Sequence, residues 1–263
     1  MQSKQVLLSF DIEEFDLPTE YGVSVPENDL FEISRVGTEN ILDIVNDCEV
    51  PVTFFITGRF AEKYPQIIRK MAVAGHEIAS HGYSHSDFEE NDLLKAKNIL
   101  QEIAQTTVVG FRMPRLKAPM PELIKKAGYL YDSSMNPTWI PGRYCHLRKP
   151  LSAYREDCGL YQYPVSVVPV VRFPLFWLSF KNLPLPLYQT LSGITLKMTS
   201  QFNLYSHPWE YHAAAADLKW GIPRYIVRHA GQKQCERLRS LILYLRKQGG
   251  TFTTIKATLP THP

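Results

Sequence analysis

One stretch determines both the expected fold and the expected chemistry: Gly75-His76-Glu77-Ile78-Ala79-Ser80-His81-Gly82-Tyr83-Ser84-His85. Gly75 stands where an amphipathic helical pattern stops, a position that helix C-termini favour. Residues 76–79 then predict a short strand, and His81 and His85 follow its end. Borderline cations such as Zn²⁺ bind neutral imidazole well, and two imidazoles four residues apart could supply two of the three protein ligands of a catalytic metal site.

The expected third ligand is a carboxylate near the N-terminus. The apolar run Val6-Leu7-Leu8 predicts a strand, and Ser9-Phe10-Asp11-Ile12-Glu13-Glu14-Phe15 places acidic side chains at its end. Side chains alternate between the two faces of a strand, so Asp11 and Glu13 are expected to face the same way.

Strand and helix patterns alternate along the chain, which predicts βαβ units around a largely parallel sheet. The predicted strands are 6–10, 52–56, 76–79, 108–111, 129–131, 201–205 and 251–256. The predicted helices are 36–47, 64–74, 87–105, 121–127 and 231–247. The polar motif residues fall at the C-terminal ends of these strands, where α/β-barrel active sites are assembled, so we expect an α/β fold of the barrel type.

Composition predicts one globular domain over residues 1–263. The chain is 44% hydrophobic and has a formal charge of +3, which does not suggest a nucleic-acid partner. No apolar run reaches the roughly 18 residues of a transmembrane helix. Met1-Gln2-Ser3-Lys4-Gln5 leads directly into the first predicted strand, so we expect a cytoplasmic protein. The cysteines are expected to be reduced, with a Cys145–Cys158 bridge as the alternative.

The order of the motifs resembles the polysaccharide deacetylase family, which has the NodB homology domain and is also known as carbohydrate esterase family 4. The matching segments are Ser9-Phe10-Asp11-Ile12-Glu13, Pro51-Val52-Thr53-Phe54-Phe55-Ile56-Thr57-Gly58, the stretch from Gly75 to His85, Gly110-Phe111-Arg112-Met113-Pro114, Tyr131-Asp132-Ser133-Ser134 and Leu204-Tyr205-Ser206-His207-Pro208. The resemblance implies a distorted (β/α) barrel of about seven strands, the NodB-type deacetylase fold.

The resemblance also implies one divalent ion bound by Glu13, His81 and His85. Commoner family members have adjacent aspartates, so this chain departs from the pattern at Ile12, and Glu14 stays the alternative ligand. We expect zinc, although Co²⁺, Ni²⁺ and Fe²⁺ accept the same ligand set. Four further histidines are not expected to be ligands: His76, His146, His212 and His229.

For the proton transfers, the resemblance implies that Asp11 is the general base and that His207 is the acid. Arg112 would hold Asp11 through its planar guanidinium. Family members usually pair the acid histidine with a carboxylate before a proline, whereas Leu160-Tyr161-Gln162-Tyr163-Pro164 offers Gln162 or a tyrosine. We therefore expect a neutral partner for His207. Asp132 either shapes the site or closes a turn with the two following serines.

The expected function is hydrolysis of an N-acyl group, acetyl or formyl, from a saccharide that is lipid-linked or nucleotide-linked, in cell-surface polysaccharide metabolism. Two alternatives stay open. One is a cyclic amidohydrolase of the allantoinase type, and the other is a degenerate, non-catalytic saccharide-binding relative. The oligomeric state is not predicted.

Residues 133–200 are rich in Pro and aromatic side chains and predict an irregular insert. Within 165–195, one hypothesis is a loop that covers the open end of the barrel and completes the core. The other hypothesis is a surface with Phe173, Phe176, Trp177 and Phe180 exposed, which contacts the inner membrane face or a polyprenyl tail.

Overall fold

The computed structural model describes residues 4–117 and 120–260. Its strands are β1 (Lys4–Ile12), β2 (Thr53–Ile56), β3 (Glu77–Ser80), β4 (Gly110–Phe111), β5 (Tyr131–Asp132), β6 (Trp139–Ile140), β7 (Tyr144–Cys145), β8 (Tyr154–Arg155), β9 (Tyr161–Gln162), β10 (Gln201–Ser206) and β11 (Gly250–Phe252). Its helices are α1 (Glu27–Asp47), α2 (Gly58–Lys63), α3 (Pro65–Val73), α4 (Asp92–Ala104), α5 (Pro121–Lys126), α6 (Trp177–Asn182), α7 (Leu185–Thr199), α8 (Arg224–Val227) and α9 (Gln232–Lys247).

One curled sheet organises the molecule, with strands in the order β10-β1-β2-β3-β4-β5-β9-β8, and β11 pairs with β1 beside this path. Neighbouring strands are parallel, except that β8 and β9 are antiparallel. A separate antiparallel hairpin is formed by β6 and β7. The predicted α/β fold with a barrel-like sheet of parallel strands is therefore confirmed.

The chain after β9 is fastened to β10 by hydrogen bonds. The Ser166 backbone N–H donates to the Asn203 carbonyl oxygen at 2.9 Å, and the Asn203 N–H donates to Ser166 Oγ at 2.8 Å. The Asn203 side-chain amide also donates to the carbonyl oxygens of Tyr163 and Pro164, at 3.3 and 3.0 Å. This segment extends the wall of the curled sheet on the side where the strand ladder stops.

Alternation along β1 separates the core from the site. Val6, Leu8 and Phe10 belong to the main apolar core between the sheet and the helices. Leu7 faces the other side, where it packs in the cluster inside the curled sheet. Asp11 lies on the same side of the strand as Leu7, because the side-chain period is two residues. The strand therefore delivers Asp11 to the interior at its C-terminal end.

The structure corrects the predicted irregularity of residues 133–200. This segment contains α6 and the 15-residue helix α7. The prolines misled the prediction, because Pro184 is the N-cap of α7 and Pro186 lies in its first turn, where a missing backbone N–H costs no hydrogen bond. Helix α1 also begins nine residues before the predicted start at residue 36, at Glu27.

Helix α1 packs tightly on the turn that follows β10. A Cβ atom at Gly37 would lie 1.9 Å from the Pro208 carbonyl oxygen. We expect Gly37→Ala to lower the free energy of unfolding by about 1–3 kcal/mol, the usual cost of overpacking. Urea denaturation measures this change.

Gly193→Ala in α7 is the matched control, because its Cβ would meet only the end of the Tyr244 side chain, at 2.9 Å. A Gly37→Ala protein that is as stable as wild type would contradict the close contact between α1 and Pro208.

All four cysteines are free, so the Cys145–Cys158 bridge does not form. In the described part of the chain, no helix combines the length and the apolar character that crossing a bilayer requires.

Candidate metal centre and active site

Three side chains with metal-ligand chemistry meet where β1 and β3 end. Glu13 Oε2 lies 3.2 Å from His81 Nε2 and 3.0 Å from His85 Nε2. One ligand atom from each residue lies within 4.8 Å of the other two, and all three side chains are buried. Two imidazole nitrogens and one carboxylate oxygen form a donor set that suits Zn²⁺ and similar ions. The residues present therefore fit a divalent metal ion.

Each imidazole of this trio is fixed through its other ring nitrogen. His81 Nδ1 donates to the Arg112 carbonyl oxygen at 2.8 Å, and His85 Nδ1 donates to Asp16 Oδ1 at 2.8 Å. Such outer contacts set the tautomer, so that Nε2 presents its lone pair to the centre. Asp16 also forms an ion pair with Arg115 at 3.1 Å.

Charge accumulates in this cluster. Burial alone would raise the pKa of Glu13, but the positive charges of His85 and His207 and the hydrogen bond from His81 hold that pKa well below its usual range. Burial alone would lower the pKa of His85, but Glu13 and Asp16 raise it well above its usual value. The cluster therefore pairs an imidazolium with a carboxylate, and a divalent cation bound there would take the place of the His85 proton.

Glu14, the alternative ligand, faces away from the histidines. Its Oε2 accepts a hydrogen bond from Thr57 Oγ1 at 3.1 Å, and its Oε1 lies 3.5 Å from Arg59 Nε. Asp16 was not among the sequence candidates. The only cue in the sequence is that it is a third acidic side chain in the same short segment after β1.

Asp11 and Arg112 form a buried pair on the floor of the site. Arg112 Nη1 donates to Asp11 Oδ1 at 2.6 Å and to Ser9 Oγ at 2.9 Å. The rest of the guanidinium is held by Ser133, through its carbonyl oxygen and its hydroxyl group, both at 2.9 Å. The guanidinium also lies 4.1 Å from the centre of the Phe55 ring. This network fixes both the arginine and the orientation of the Asp11 carboxylate.

His207 is paired with a carboxylate, so the predicted neutral partner is wrong. His207 Nδ1 donates to Glu210 Oε1 at 3.0 Å, and the His207 backbone N–H donates to the same oxygen at 2.8 Å. The 3₁₀ turn Pro208–Tyr211 carries Glu210 back over the residue that precedes it. Gln162, which was predicted as the partner together with a neighbouring tyrosine as the alternative, lies instead opposite Asp132 in the β5–β9 pair. The sequence cue was the three-residue spacing within His207-Pro208-Trp209-Glu210.

A lysine completes this pair. Lys181 Nζ lies 3.1 Å from Glu210 Oε2 and donates to the Ile226 carbonyl oxygen at 2.8 Å, and both charged side chains are fully buried. Burial alone would raise the pKa of Glu210, but Lys181 and His207 bring it below its usual value. Burial alone would lower the pKa of His207, but Glu13, Glu210 and Asp11 raise it.

Aromatic rings surround His207. Its ring stacks on Trp209 with centres 5.3 Å apart, and it meets the edges of Trp177 and Tyr205 at 5.3 and 5.5 Å. Phe176 contacts Tyr205, so Phe176 and Trp177 form part of the cavity wall. Phe180 is fully buried against Tyr188, and the prediction that it is exposed is wrong.

One cavity of about 450 Å³ connects these groups. Asp11, Glu13, His81, His85 and His207 all line it. A bound molecule in this cavity would therefore contact the metal-ligand trio, the aspartate and the histidine together.

Comparison with known proteins agrees with this geometry, since residues 2–131 match the family model described as polysaccharide deacetylase. Residues 2–131, just under half of the chain, therefore resemble the polysaccharide deacetylase family. The matched part includes the metal-ligand trio and the Asp11–Arg112 pair, whereas His207 and Glu210 lie beyond it.

The peptidoglycan deacetylase of Helicobacter pylori is 26% identical over 148 residues, which cover 51% of this chain and 50% of that protein. The chain spans half or less of the length of the first curated relatives that it matches. A solved structure titled a probable polysaccharide deacetylase from Pseudomonas aeruginosa has a TM-score of 0.67 at 16% identity, covering 96% of this chain and 88% of that chain. Puue allantoinase has a TM-score of 0.64 at 17% identity, with the same coverage. Both likenesses concern the fold.

Asp132 has a scaffolding position. It accepts a hydrogen bond from Ser134 Oγ, which itself accepts from the Met113 backbone N–H at 2.8 Å. Burial raises the pKa of Asp132 to about 6. Asp132 does not line the cavity. The four histidines predicted to be non-ligands lie outside the metal-ligand trio: His76, His146, His212 and His229.

Proposed function

We propose that this protein is a metal-dependent hydrolase that removes an N-acyl group, acetyl or formyl, from a saccharide. One observation carries the proposal: a metal-ligand trio, an arginine-held aspartate and a glutamate-held histidine all line a single cavity. Hydrolysis of an amide needs a polarised carbonyl group, a base for the attacking water and an acid for the leaving nitrogen. Each of these three needs has one matching group in the cavity.

Glu13, His81 and His85 would hold the ion. A divalent cation bound there would polarise the amide carbonyl group and lower the pKa of a water molecule, which is the chemistry that metal hydrolases use. Asp11 accepts the proton of the attacking water, because Arg112 holds its carboxylate in one orientation beside the trio. We expect the same roles if the ion is Zn²⁺, Co²⁺, Ni²⁺ or Fe²⁺.

His207 supplies the proton that the leaving amine requires. With Nδ1 bonded to Glu210, Nε2 is the nitrogen that is free to donate. The raised pKa of His207 keeps the ring protonated over a wider pH range than a free imidazole. The three aromatic rings around it restrict its motion.

The residues at the mouth of the cavity favour a substrate with an anionic group. Arg143, Tyr21 and Tyr144 line it, and the tyrosine rings offer stacking faces for a sugar. Arg115 is paired with Asp16 and Glu20, whereas Arg143 pairs with no carboxylate in the described ranges 4–117 and 120–260. A free guanidinium favours phosphate. We therefore propose a nucleotide-linked or lipid-linked N-acyl sugar as the substrate.

A substrate panel tests the proposed function. Purified, metal-loaded protein is incubated with N-acetylglucosamine oligomers, N-acyl sugars linked through diphosphate, and allantoin, and the release of acetate, formate or amine is measured. We expect release from the saccharides, fastest from the diphosphate-linked ones. Turnover of allantoin alone would favour the cyclic amidohydrolase, and sugar binding without turnover would favour the non-catalytic relative.

Glu210→Gln is expected to move the alkaline limit of kcat/KM to lower pH. The acid must be protonated to act, and the Glu210 carboxylate is one of the charges that raise the pKa of His207, together with Glu13 and Asp11. Replacing the Glu210 carboxylate with a neutral amide lowers the pKa of His207, so the protonated, active form of His207 is lost at a lower pH. A pH–rate profile of variant and wild type measures the shift.

Lys181→Met is a second test of this carboxylate, because it leaves Glu210 buried without the ammonium group of Lys181. We expect lower kcat with little change in KM, provided that the thermal unfolding temperature shows a folded protein. An unchanged pH profile in Glu210→Gln would mean that His207 does not depend on this carboxylate.

A further inference from the structure

Beside the cavity mouth lies an apolar surface that no described residue covers. Its most exposed members are Val170 and Val171, at 87% and 70%, at the tip of a tight turn, and Trp139 is 60% exposed. Leu147 and Phe173 are exposed at its edges. We call these five residues the turn surface. Such a cluster in a water-facing position calls for a partner.

The turn surface is held rigidly in place. Val168 N–H donates to the Phe173 carbonyl oxygen at 2.8 Å, and Arg172 N–H donates back to Val168 at 2.9 Å. The Arg172 guanidinium donates to the carbonyl oxygens of Pro137 and Lys149, at 3.3 and 2.8 Å. The segments that carry Trp139, Leu147 and Val170 are thus tied together through one arginine.

Two residues of the turn have a strained backbone conformation. Val170 has φ 73° and Arg172 has φ 56°, both in the left-handed region. A β-branched residue rarely adopts this conformation, because its side chain clashes with the backbone. The hydrogen-bonded turn therefore holds Val170 and Val171 in exposed positions.

Charge identifies the partner. Residues 133–200 contain seven Lys or Arg, of which only Lys181 is fully buried against a carboxylate, and only two acidic residues, Glu156 and Asp157. Glu156 is already near Lys149, at 3.5 Å, while Arg143 and Arg148 beside the turn surface are exposed. An apolar tip with a cationic rim complements an anionic lipid surface, which offers an acyl boundary beneath negative headgroups. A second copy that docked through the same surface would bring the same positive charges and would be repelled.

We propose that the turn surface docks this protein on an anionic membrane, with Val170 and Val171 entering the headgroup boundary. The hairpin β6–β7 links this surface to the cavity, because Trp139 is exposed on it while Ile140, Arg143 and Tyr144 line the cavity mouth. Docking would therefore bring the mouth close to the lipid surface. Val170 and Val171 contribute nothing to the metal-ligand trio, so membrane binding is separable from the proposed hydrolysis.

Vesicle co-sedimentation tests the docking. The full chain is mixed with vesicles of phosphatidylglycerol and phosphatidylcholine, or of phosphatidylcholine alone. We expect the wild-type protein to bind the anionic vesicles. The double variant Val170→Ser with Val171→Ser should partition into them at least about tenfold more weakly, because the inserted apolar area is lost. Serine suits the left-handed backbone at least as well as valine, so the variant should fold, and its thermal unfolding checks this.

Val73→Ser is the matched control, because Val73 is equally exposed, at 89%, but ends α3 ahead of β3, at the opposite end of the strands from the cavity. It should bind as wild type does. Arg148→Glu should weaken binding to anionic vesicles only. Three results would overturn the proposal: wild type that ignores anionic vesicles, a double serine variant that binds equally well, or a concentration-dependent dimer that the double serine change dissolves.

Discussion

His81→Ala and His85→Ala are each expected to abolish stoichiometric binding of a divalent ion and to reduce kcat/KM by more than about 10²-fold, since even outer partners of metal ligands typically contribute 10–100-fold. Each change removes one of the two imidazole nitrogens that lie about Glu13 Oε2, at 3.2 and 3.0 Å. Elemental analysis after dialysis measures the ion, and amine release from the saccharide measures turnover.

His212→Ala is the control for this pair of changes. His212 is partly buried and accepts a hydrogen bond from the Ala214 backbone N–H at 3.2 Å, away from the metal-ligand trio. It should retain both the ion and the activity. Full retention of metal in His81→Ala and in His85→Ala would rule out the trio as the metal site.

Asp11→Asn is expected to keep the ion and to lower kcat by about 10²–10⁴-fold, the usual contribution of general-base catalysis. The amide has nearly the shape of the carboxylate but cannot accept a proton from water. The Asp11 carboxylate is paired with Arg112 at 2.6 Å, so part of the loss could come from misplacing the arginine. A metal content equal to that of wild type and an unchanged unfolding temperature separate the two causes.

Glu14→Gln is the matched control, because Glu14 is also a buried carboxylate of the same segment but faces Thr57 and Arg59. It should lose less than about tenfold in kcat, well below the range expected of a general base. A loss of less than tenfold in Asp11→Asn would mean that another group takes the proton.

Local periodicity was sufficient to predict the α/β fold and the direction of Asp11. The alternation of β1 places Leu7 and Asp11 on the inner face, and the parallel ladder brings the ends of β1 and β3 side by side. Helix α7 was missed because its prolines occupy the N-cap and first-turn positions, and α6 was missed because its six residues are too few to show helical periodicity.

The partner of His207 could not be found by looking for a carboxylate before a proline. Glu210 reaches the ring because a 3₁₀ turn brings residues three apart to the same side. Lys181 could not be predicted at all, since its pairing with Glu210 joins two segments 29 positions apart in the sequence. In a sequence, a lysine within an apolar stretch looks like a surface cation, whereas here it is buried beside the Glu210 carboxylate.

The central claim is that one ion, bound by Glu13, His81 and His85, enables this cavity to remove an acyl group from a saccharide. The most direct test strips the protein of metal with a chelator, adds a divalent ion in measured steps, and follows the release of acetate or formate from an N-acyl sugar. The account predicts no release from stripped protein and full recovery at one ion per chain. Release that continues undiminished in the stripped protein, or no release from protein that holds one ion, would contradict it.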